Sequence, residues 1–178
     1  HDAYVASMKG AILSINPDAS IVDICHTIRH QDIQLVAFIL GTSCYDFPLG
    51  TIHLVVVDPG VGSDRRAVAV ETPQAYFVAP DNGVLTYAIR QALEDVHLVA
   101  QGVDSTSATQ MDIGEGIEAA AVTNSQYWRH PVSPTFHGRD VLGSVAAHLS
   151  LGIPIQRFGE QVDTLCAFPI PTPHSLPD

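Results

Sequence analysis

The stretch Val55-Val56-Val57-Asp58-Pro59-Gly60-Val61-Gly62-Ser63-Asp64-Arg65-Arg66 constrains this chain more than any other. A β-branched apolar run stops at a carboxylate, a Pro/Gly-rich turn follows, and two guanidinium groups come next. This pattern suits a buried strand that delivers charged groups to the edge of an α/β sheet, where ligands bind. A second polar cluster, Thr135-Phe136-His137-Gly138-Arg139-Asp140, lies far downstream. The two are expected to meet in space and form one active site.

Around these clusters, strand and helix patterns alternate. Val5, Met8, Ile12 and Leu13 give residues 2–15 a helical spacing. Asn16-Pro17-Asp18 should end that helix, because proline disfavours helix in the residue before it. Ile21-Val22-Asp23-Ile24 reads as a short strand. Asp32 is placed to cap a second helix with an apolar face of Leu35, Val36, Phe38, Ile39 and Leu40. Thr51 to Val57 is nearly continuously apolar, the mark of a strand covered on both faces. Ala67 to Glu71 and Tyr76 to Ala79 read as strands around Thr72-Pro73-Gln74. Pro80-Asp81-Asn82-Gly83 is a turn, followed by a helix from about Val84 to Leu93 and a strand from Val96 to Val99.

Residues 101–119 are rich in Ser, Thr, Gly, Asp and Gln and read as a loop. Val141 to Leu149 reads as a helix with a stop at Gly152-Ile153-Pro154. Strands alternating with helices predict an α/β fold with a largely parallel sheet flanked by helices. The expected organisation is one catalytic α/β domain over residues 1–167, then a proline-rich tail or linker over 168–178. The helical pattern already runs at His1-Asp2, so a segment upstream is expected as well.

A chain of 178 residues can bury a substantial core, roughly 70% of its unfolded surface. Net charge is −11, and Lys9 is the single lysine. With no basic patch or arm, nucleic acid is not an expected partner, and the acidity disfavours anionic membrane surfaces. No apolar run reaches the ~18 residues of a membrane-spanning helix. Cys25, Cys44 and Cys166 are widely spaced and form no zinc-ligand pattern, so buried reduced thiols in a cytoplasmic protein are expected.

Several residues admit two readings. Asp58 either orders the glycine-rich turn or acts on a ligand. Arg65 lies seven residues on, across a turn tight enough to return it toward Asp58. Arg65 and Arg66 should point to opposite faces, one serving the site and the other solvated. His137 is either a satisfied structural histidine or an acid–base group near neutral pH, and Gly138 beside it permits close backbone approach. Arg139 and Asp140 suit an ion pair or helix caps. His26, His30, Asp32, Asp58 and His137 are metal-ligand types, but no HExxH or paired-carboxylate spacing organises them, and no metal is expected. GxGxxG, P-loop and GxSxG motifs do not occur.

Taken in order, Asp2-Ala3-Tyr4-Val5 to Met8-Lys9-Gly10, Ile21 to His26, Gln31-Asp32-Ile33, Val57 to Gly62, Pro80 to Gly83 and Thr135 to Asp140 resemble the S-adenosyl-L-methionine hydroxide adenosyltransferase family. Its relatives include the bacterial fluorinase and chlorinase. The resemblance implies the N-terminal domain of that fold and a water-activating set on Asp58, Arg65 and His137. The implied reaction is attack of water or hydroxide on C5′ of S-adenosyl-L-methionine, giving adenosine and L-methionine with no cofactor. Asp2 falls where the family holds the methionine end. Pro59, Val61, Thr135 and Phe136 would line the ribose and reaction centre, with Gly138 beside them. Gln31 falls where the halogenases place a tryptophan, and Asn82 is a pocket-wall candidate.

The halogenating branch has tyrosine where Asp58 stands, a tyrosine–serine pair at His137-Gly138, and an insertion before the Pro-Asx-Asn-Gly turn. All three differences favour hydroxide over halide. The family's Thr-Asp-Phe-Gly-like first strand and its C-terminal β domain, which binds adenine across a trimer interface, do not occur in this sequence. An N-terminal domain clipped at both ends, from a cytoplasmic homotrimer, is the expectation. The alternatives are a halogenase using the same substrate, or a non-catalytic fragment that binds adenosine or oligomerises.

Overall fold

The computed structural model describes residues 3–95 and 109–169. Its centre is a four-stranded sheet of β1 (Thr51–Leu54), β2 (Ala67–Glu71), β3 (Ala75–Pro80) and β5 (Glu118–Ala121), in the spatial order β1-β3-β2-β5. β4 (Thr109–Asp112) pairs antiparallel with β6 (Thr164–Ala167) in a separate ribbon. The helices are α1 (Tyr4–Ile15), α2 (Ile33–Ser43), α3 (Thr86–Asp95) and α4 (Ser144–Ser150), the last entered through a π-helical turn over Gly138–Gly143.

Strand alternation divides the core into two layers. Val68, Val70, Phe77 and Ala79 face α2, α3 and the β4–β6 ribbon, together with Val36, Leu40, Ala88, Ile89, Met111 and Leu165. Ala69 and Val78 face the other way, packing with Leu142, Val145, Leu149 and Phe158. The alternation runs past the end of β1: Val55 and Val57 join the first layer, and Val56 joins the second. The sheet is therefore covered on both faces, as its apolar runs predict.

The α/β class stands, and strand direction is mixed. β1 and β3 are parallel, whereas β2 runs antiparallel to both β3 and β5. The cause is local. Only Thr72-Pro73-Gln74 joins β2 to β3, and so short a link cannot cross over to a parallel neighbour. The Thr72 hydroxyl closes this hairpin, accepting from Ala75 N–H at 3.0 Å. One edge of the sheet thus collects the carboxyl ends of β1, β3 and β5 and the amino end of β2.

Other expectations need correction. Ile21–Ile24 is not a strand: it has no ladder partner among the described residues, and Val22 and Ile24 are exposed. A short apolar run becomes a strand only where a sheet edge receives it. β1 is shorter than Thr51–Val57, although Val55 N–H still donates to the Val78 carbonyl at 3.0 Å. The polar region 101–119 contains β4 and the start of β5, with Met111, Ile113 and Ile117 buried. Within β4 itself Met111 is the one apolar residue, so a polar composition concealed the strand. On α2, Val36, Ala37 and Leu40 are buried, while Phe38 is exposed. Of the cysteines only Cys44 is buried; Cys25 and Cys166 are half-buried, and all three are free.

Several local signals act as read. Asn16 ends α1 in an extended conformation ahead of Pro17. The Asp32 carboxylate caps α2, accepting from Leu35 N–H at 3.0 Å. Gly152 and Ile153 close α4 by donating to the Leu149 and His148 carbonyls at 2.9 and 3.3 Å. The helix begins earlier than Val141, with the π turn at Gly138. Val96–Val99 lies outside the described residues, as does most of the tail beyond Pro169. No helix among the described residues is long and apolar enough to cross a membrane.

Candidate active site

Three loops converge at the sheet edge that carries the strand ends. The first follows β1. Asp58 bends back through Pro59 to Asp64, and its carboxylate Oδ2 accepts from Nη2 of Arg65. The pair is shielded, with side chains 6% and 13% exposed. Asp58 Oδ1 and Arg65 Nε are buried without a hydrogen-bond partner among the described residues, so each keeps one hydrogen-bonding position unused. Buried groups of this kind normally find a partner. A carboxylate oxygen and a guanidinium N–H together suit a small polar molecule such as water.

The second loop follows β3. Asn82 Nδ2 donates to the Val57 carbonyl at 2.9 Å, which ties this turn to the residue before Asp58. Asp81, almost fully buried, pairs with Arg66 Nε at 2.5 Å. The arginines do diverge, as alternation requires, but Arg66 is not simply solvated: it has its own carboxylate.

The third loop precedes α4 and carries His137. It interlocks with the first at Gly62, which has φ 79°, and where a Cβ would come within 2.9 Å of the Pro134 carbonyl. Gly138 packs just as closely. A Cβ there would lie 2.7 Å from Val56 Cγ1 and 3.1 Å from Met8 Sδ. The two glycines seat the His137 loop on the Val56–Gly62 segment, with His137 beginning the π turn. Its half-buried imidazole has no hydrogen-bond partner among the described residues. π turns inside helices often mark functional positions.

Asp140 holds this loop together. Its fully buried carboxylate accepts from Ser133 N–H at 2.9 Å and from Arg139 Nε at 2.6 Å. Burial alone would raise its pKa. The Arg139 hydrogen bond, the Ser133 N–H and the nearby arginine charges outweigh that and hold it below the usual carboxylate value. The same bond raises the Arg139 guanidinium. Of the two readings of Arg139-Asp140 the ion pair holds and the helix cap does not: Asp140 sits inside the π turn and accepts from a loop N–H upstream of it, and no side chain caps either helical start. The Arg139 guanidinium lies 4.7 Å from the centre of the Phe136 ring, which also meets Tyr4 edge-on at 4.5 Å.

The remaining candidates fall as follows. Pro59 and Thr135 are exposed on the first and third loops, and Val61 and Phe136 are half-buried there. Gln31 is exposed at the turn into α2 with φ 66°, and no hydrogen bond links it to the three loops. Asp2 lies outside the described residues. Among those residues no three His, Cys, Asp or Glu side chains are grouped to hold a metal ion; His26 instead pairs with Asp23 at 2.9 Å. On the sequence pattern Asp81 is a turn residue, Tyr4 carries no site role and Arg66 is one of two arginines for the site, whereas the structure ties Arg66 to Asp81 and sets Tyr4 against Phe136. For Asp81 a signal existed: β3 ends an apolar run at a carboxylate, just as β1 does.

Comparison with known proteins identifies the family of the chain. Residues 1–159 match the SAM hydroxide adenosyltransferase N-terminal domain. The (R)-S-adenosyl-L-methionine hydrolase of Salinispora arenicola is 33% identical over 177 residues, covering 99% of this chain and 59% of the relative. That of Thermus thermophilus is 36% identical, covering 95% and 61%. A fluorinase of Nocardia brasiliensis is 27% identical, covering 90% and 54%. An uncharacterized conserved protein from Thermotoga maritima has a crystal structure that superposes with a TM-score of 0.80 at 34% identity, covering 97% of this chain and 59% of that one. This chain thus spans about three-fifths of the length of the hydrolases it resembles. A match over residues 1–159, with relatives at 33–36% identity over nearly the whole chain, makes the chain a member of the SAM hydroxide adenosyltransferase family.

Proposed function

We propose that the protein hydrolyses S-adenosyl-L-methionine to adenosine and L-methionine. The observation that carries this reading is the shielded Asp58–Arg65 pair, with Asp58 Oδ1 and Arg65 Nε unpartnered beside the loop of His137. A sulfonium is already a good leaving group, so its departure needs no acid. The reaction needs an oxygen nucleophile held in line and partly stripped of solvent. The water oxygen bonds to C5′, the C5′–S bond breaks, and its electron pair leaves with the methionine thioether. Asp58 and His137 orient the water and take its proton, and Arg65 stabilises hydroxide character.

Pro59, Val61, Asn82, Thr135, Phe136 and Gly138 form the proposed wall around ribose and reaction centre. By family resemblance Asp2 is assigned to the methionine end, and Gln31 to the substrate-binding position where the halogenases place a tryptophan. The catalytic unit is residues 1–167, working without a cofactor in a cytoplasmic homotrimer.

The test is incubation of the full-length protein with S-adenosyl-L-methionine and chromatography of the products. Adenosine and methionine in equal amounts are expected. Halide-dependent 5′-halo-adenosine, or adenosine binding without turnover, would replace this reading with halogenation or a binding role.

A further inference from the structure

Asp58 and Arg65 are steadied through their chain neighbours, and one turn grips both neighbours. Asn82 Nδ2 donates to the Val57 carbonyl at 2.9 Å, fixing the peptide just before Asp58. Asp81 N–H donates to the Arg66 carbonyl at 3.0 Å, and Asp81 Oδ2 accepts from Arg66 Nε at 2.5 Å. That same Arg66 carbonyl accepts Nη1 of Arg65, whose Nη2 reaches Asp58. The far side is anchored as well. Asp81 Oδ1 accepts from Cys166 N–H at 2.7 Å, and Arg66 Nη2 donates to the Thr164 carbonyl.

A turn that only reverses the chain needs no such carboxylate. Turn Asp and Asn side chains usually bond to their own backbone, and burying a charge is costly unless it is paired and hydrogen-bonded. Here the Asp81 side chain is 3% exposed, and both oxygens are spent on β6 and on the start of β2. We infer that the Asp81-Asn82 turn positions the Asp58–Arg65 pair: Asp81 aims the Arg65 guanidinium through the Arg66 carbonyl, and Asn82 sets the Asp58 backbone through Val57. Both are positioning residues, since neither touches the pair directly. Because β6 supplies the anchor, a strand about a hundred residues downstream controls the geometry of the β1 loop.

The kinetic consequence rests on the hydrolase reading; the geometric one does not. In the full-length protein, Asp81→Asn should lower kcat about tenfold or more while KM stays within about twofold, the pattern of misplaced reacting groups with substrate contacts kept, whereas Asn82→Ala, which also removes part of the proposed ribose wall, should lower kcat and raise KM together. Independently, the NMR resonance of the Arg65 Nε–H, assigned by its loss in Arg65→Lys, should move in Asp81→Asn. If that variant does not fold, Asp81→Glu, which keeps the buried charge but displaces it by one methylene, is read the same way. An Arg65 resonance at its wild-type position in the folded variant overturns the inference, whatever the rate. A wild-type protein that leaves S-adenosyl-L-methionine intact overturns the hydrolase reading instead, and the resonance still decides the role of the turn.

Discussion

Ser133 and Asp140 are joined by a 2.9 Å hydrogen bond from the Ser133 backbone N–H to the Asp140 carboxylate. It folds the loop that carries His137 back onto the helix it precedes. The carboxylate is fully buried and also holds Arg139, so removing it leaves a half-buried N–H and a half-buried guanidinium without their partner. Asp140→Ala should destabilise the protein by about 2–4 kcal/mol, read from urea unfolding. Because folding depresses the Asp140 pKa, its contribution is present above the unfolded value of 3.8. It is lost as pH falls through the folded value. Asp140→Ala should therefore unfold with a flatter dependence on pH in the acid range.

His137 offers the opposite case. Its ring is half-buried and accepts or donates no hydrogen bond among the described residues, so the fold does not depend on it. His137→Ala should change stability by less than ~1 kcal/mol yet lower turnover of S-adenosyl-L-methionine about a hundredfold or more. Thermal unfolding and a product assay on the same preparation check both halves. Wild-type turnover in this variant would remove the imidazole from the mechanism.

His53 links folding to pH near neutrality. The ring is buried between Phe47, edge-on, and Phe77, stacked at 5.3 Å, and its Nε2 has no hydrogen-bond partner among the described residues. Burial pushes its pKa below 6.5, against a smaller opposing hydrogen bond to the Cys44 backbone. The unfolded chain therefore binds the proton more readily. The stability contributed by neutral His53 is fully present above 6.5 and declines as pH falls below it toward the folded value. Unfolding free energy should drop as pH falls through 6.5, and drop less in His53→Gln. An equal drop in both proteins would assign the effect elsewhere, with His148, also lowered by burial, the next candidate.

The three thiols should react in a fixed order. Burial pushes Cys44 up to about 11. Cys166 is raised by burial and by the neighbouring Asp81 charge, and half-buried Cys25 lies in the irregular segment between α1 and α2. The thiolate is the reactive form. Alkylation of the folded protein followed by mass spectrometry should therefore label Cys25 first, Cys166 more slowly, and Cys44 only on unfolding.

The apolar alternation at Ala67–Glu71, the cap at Asp32 and the stop at Gly152 were legible because each is a local preference that the core then endorsed. Ile21–Ile24 misled because a strand exists only where a neighbouring edge accepts it, and composition does not report neighbours. Thr109–Asp112 was hidden for the converse reason: polar residues dominate it, and its pairing with Thr164–Ala167 comes from the far end of the chain.

The site divides the same way. The residues alone determined which chemistry was on offer: a carboxylate ending an apolar run at Asp58, a guanidinium one tight turn later at Arg65, and an imidazole between Phe136 and Gly138. Only the tertiary structure decided which groups serve together. Strand order brings the ends of β1 and β3 to one edge, the bare backbone at Gly62 and Gly138 lets two distant loops interlock, and Asp81 claims Arg66 so that Arg65 alone is left for Asp58. Partner choice of this kind depends on burial and through-space distance, which the order of residues along a chain does not contain.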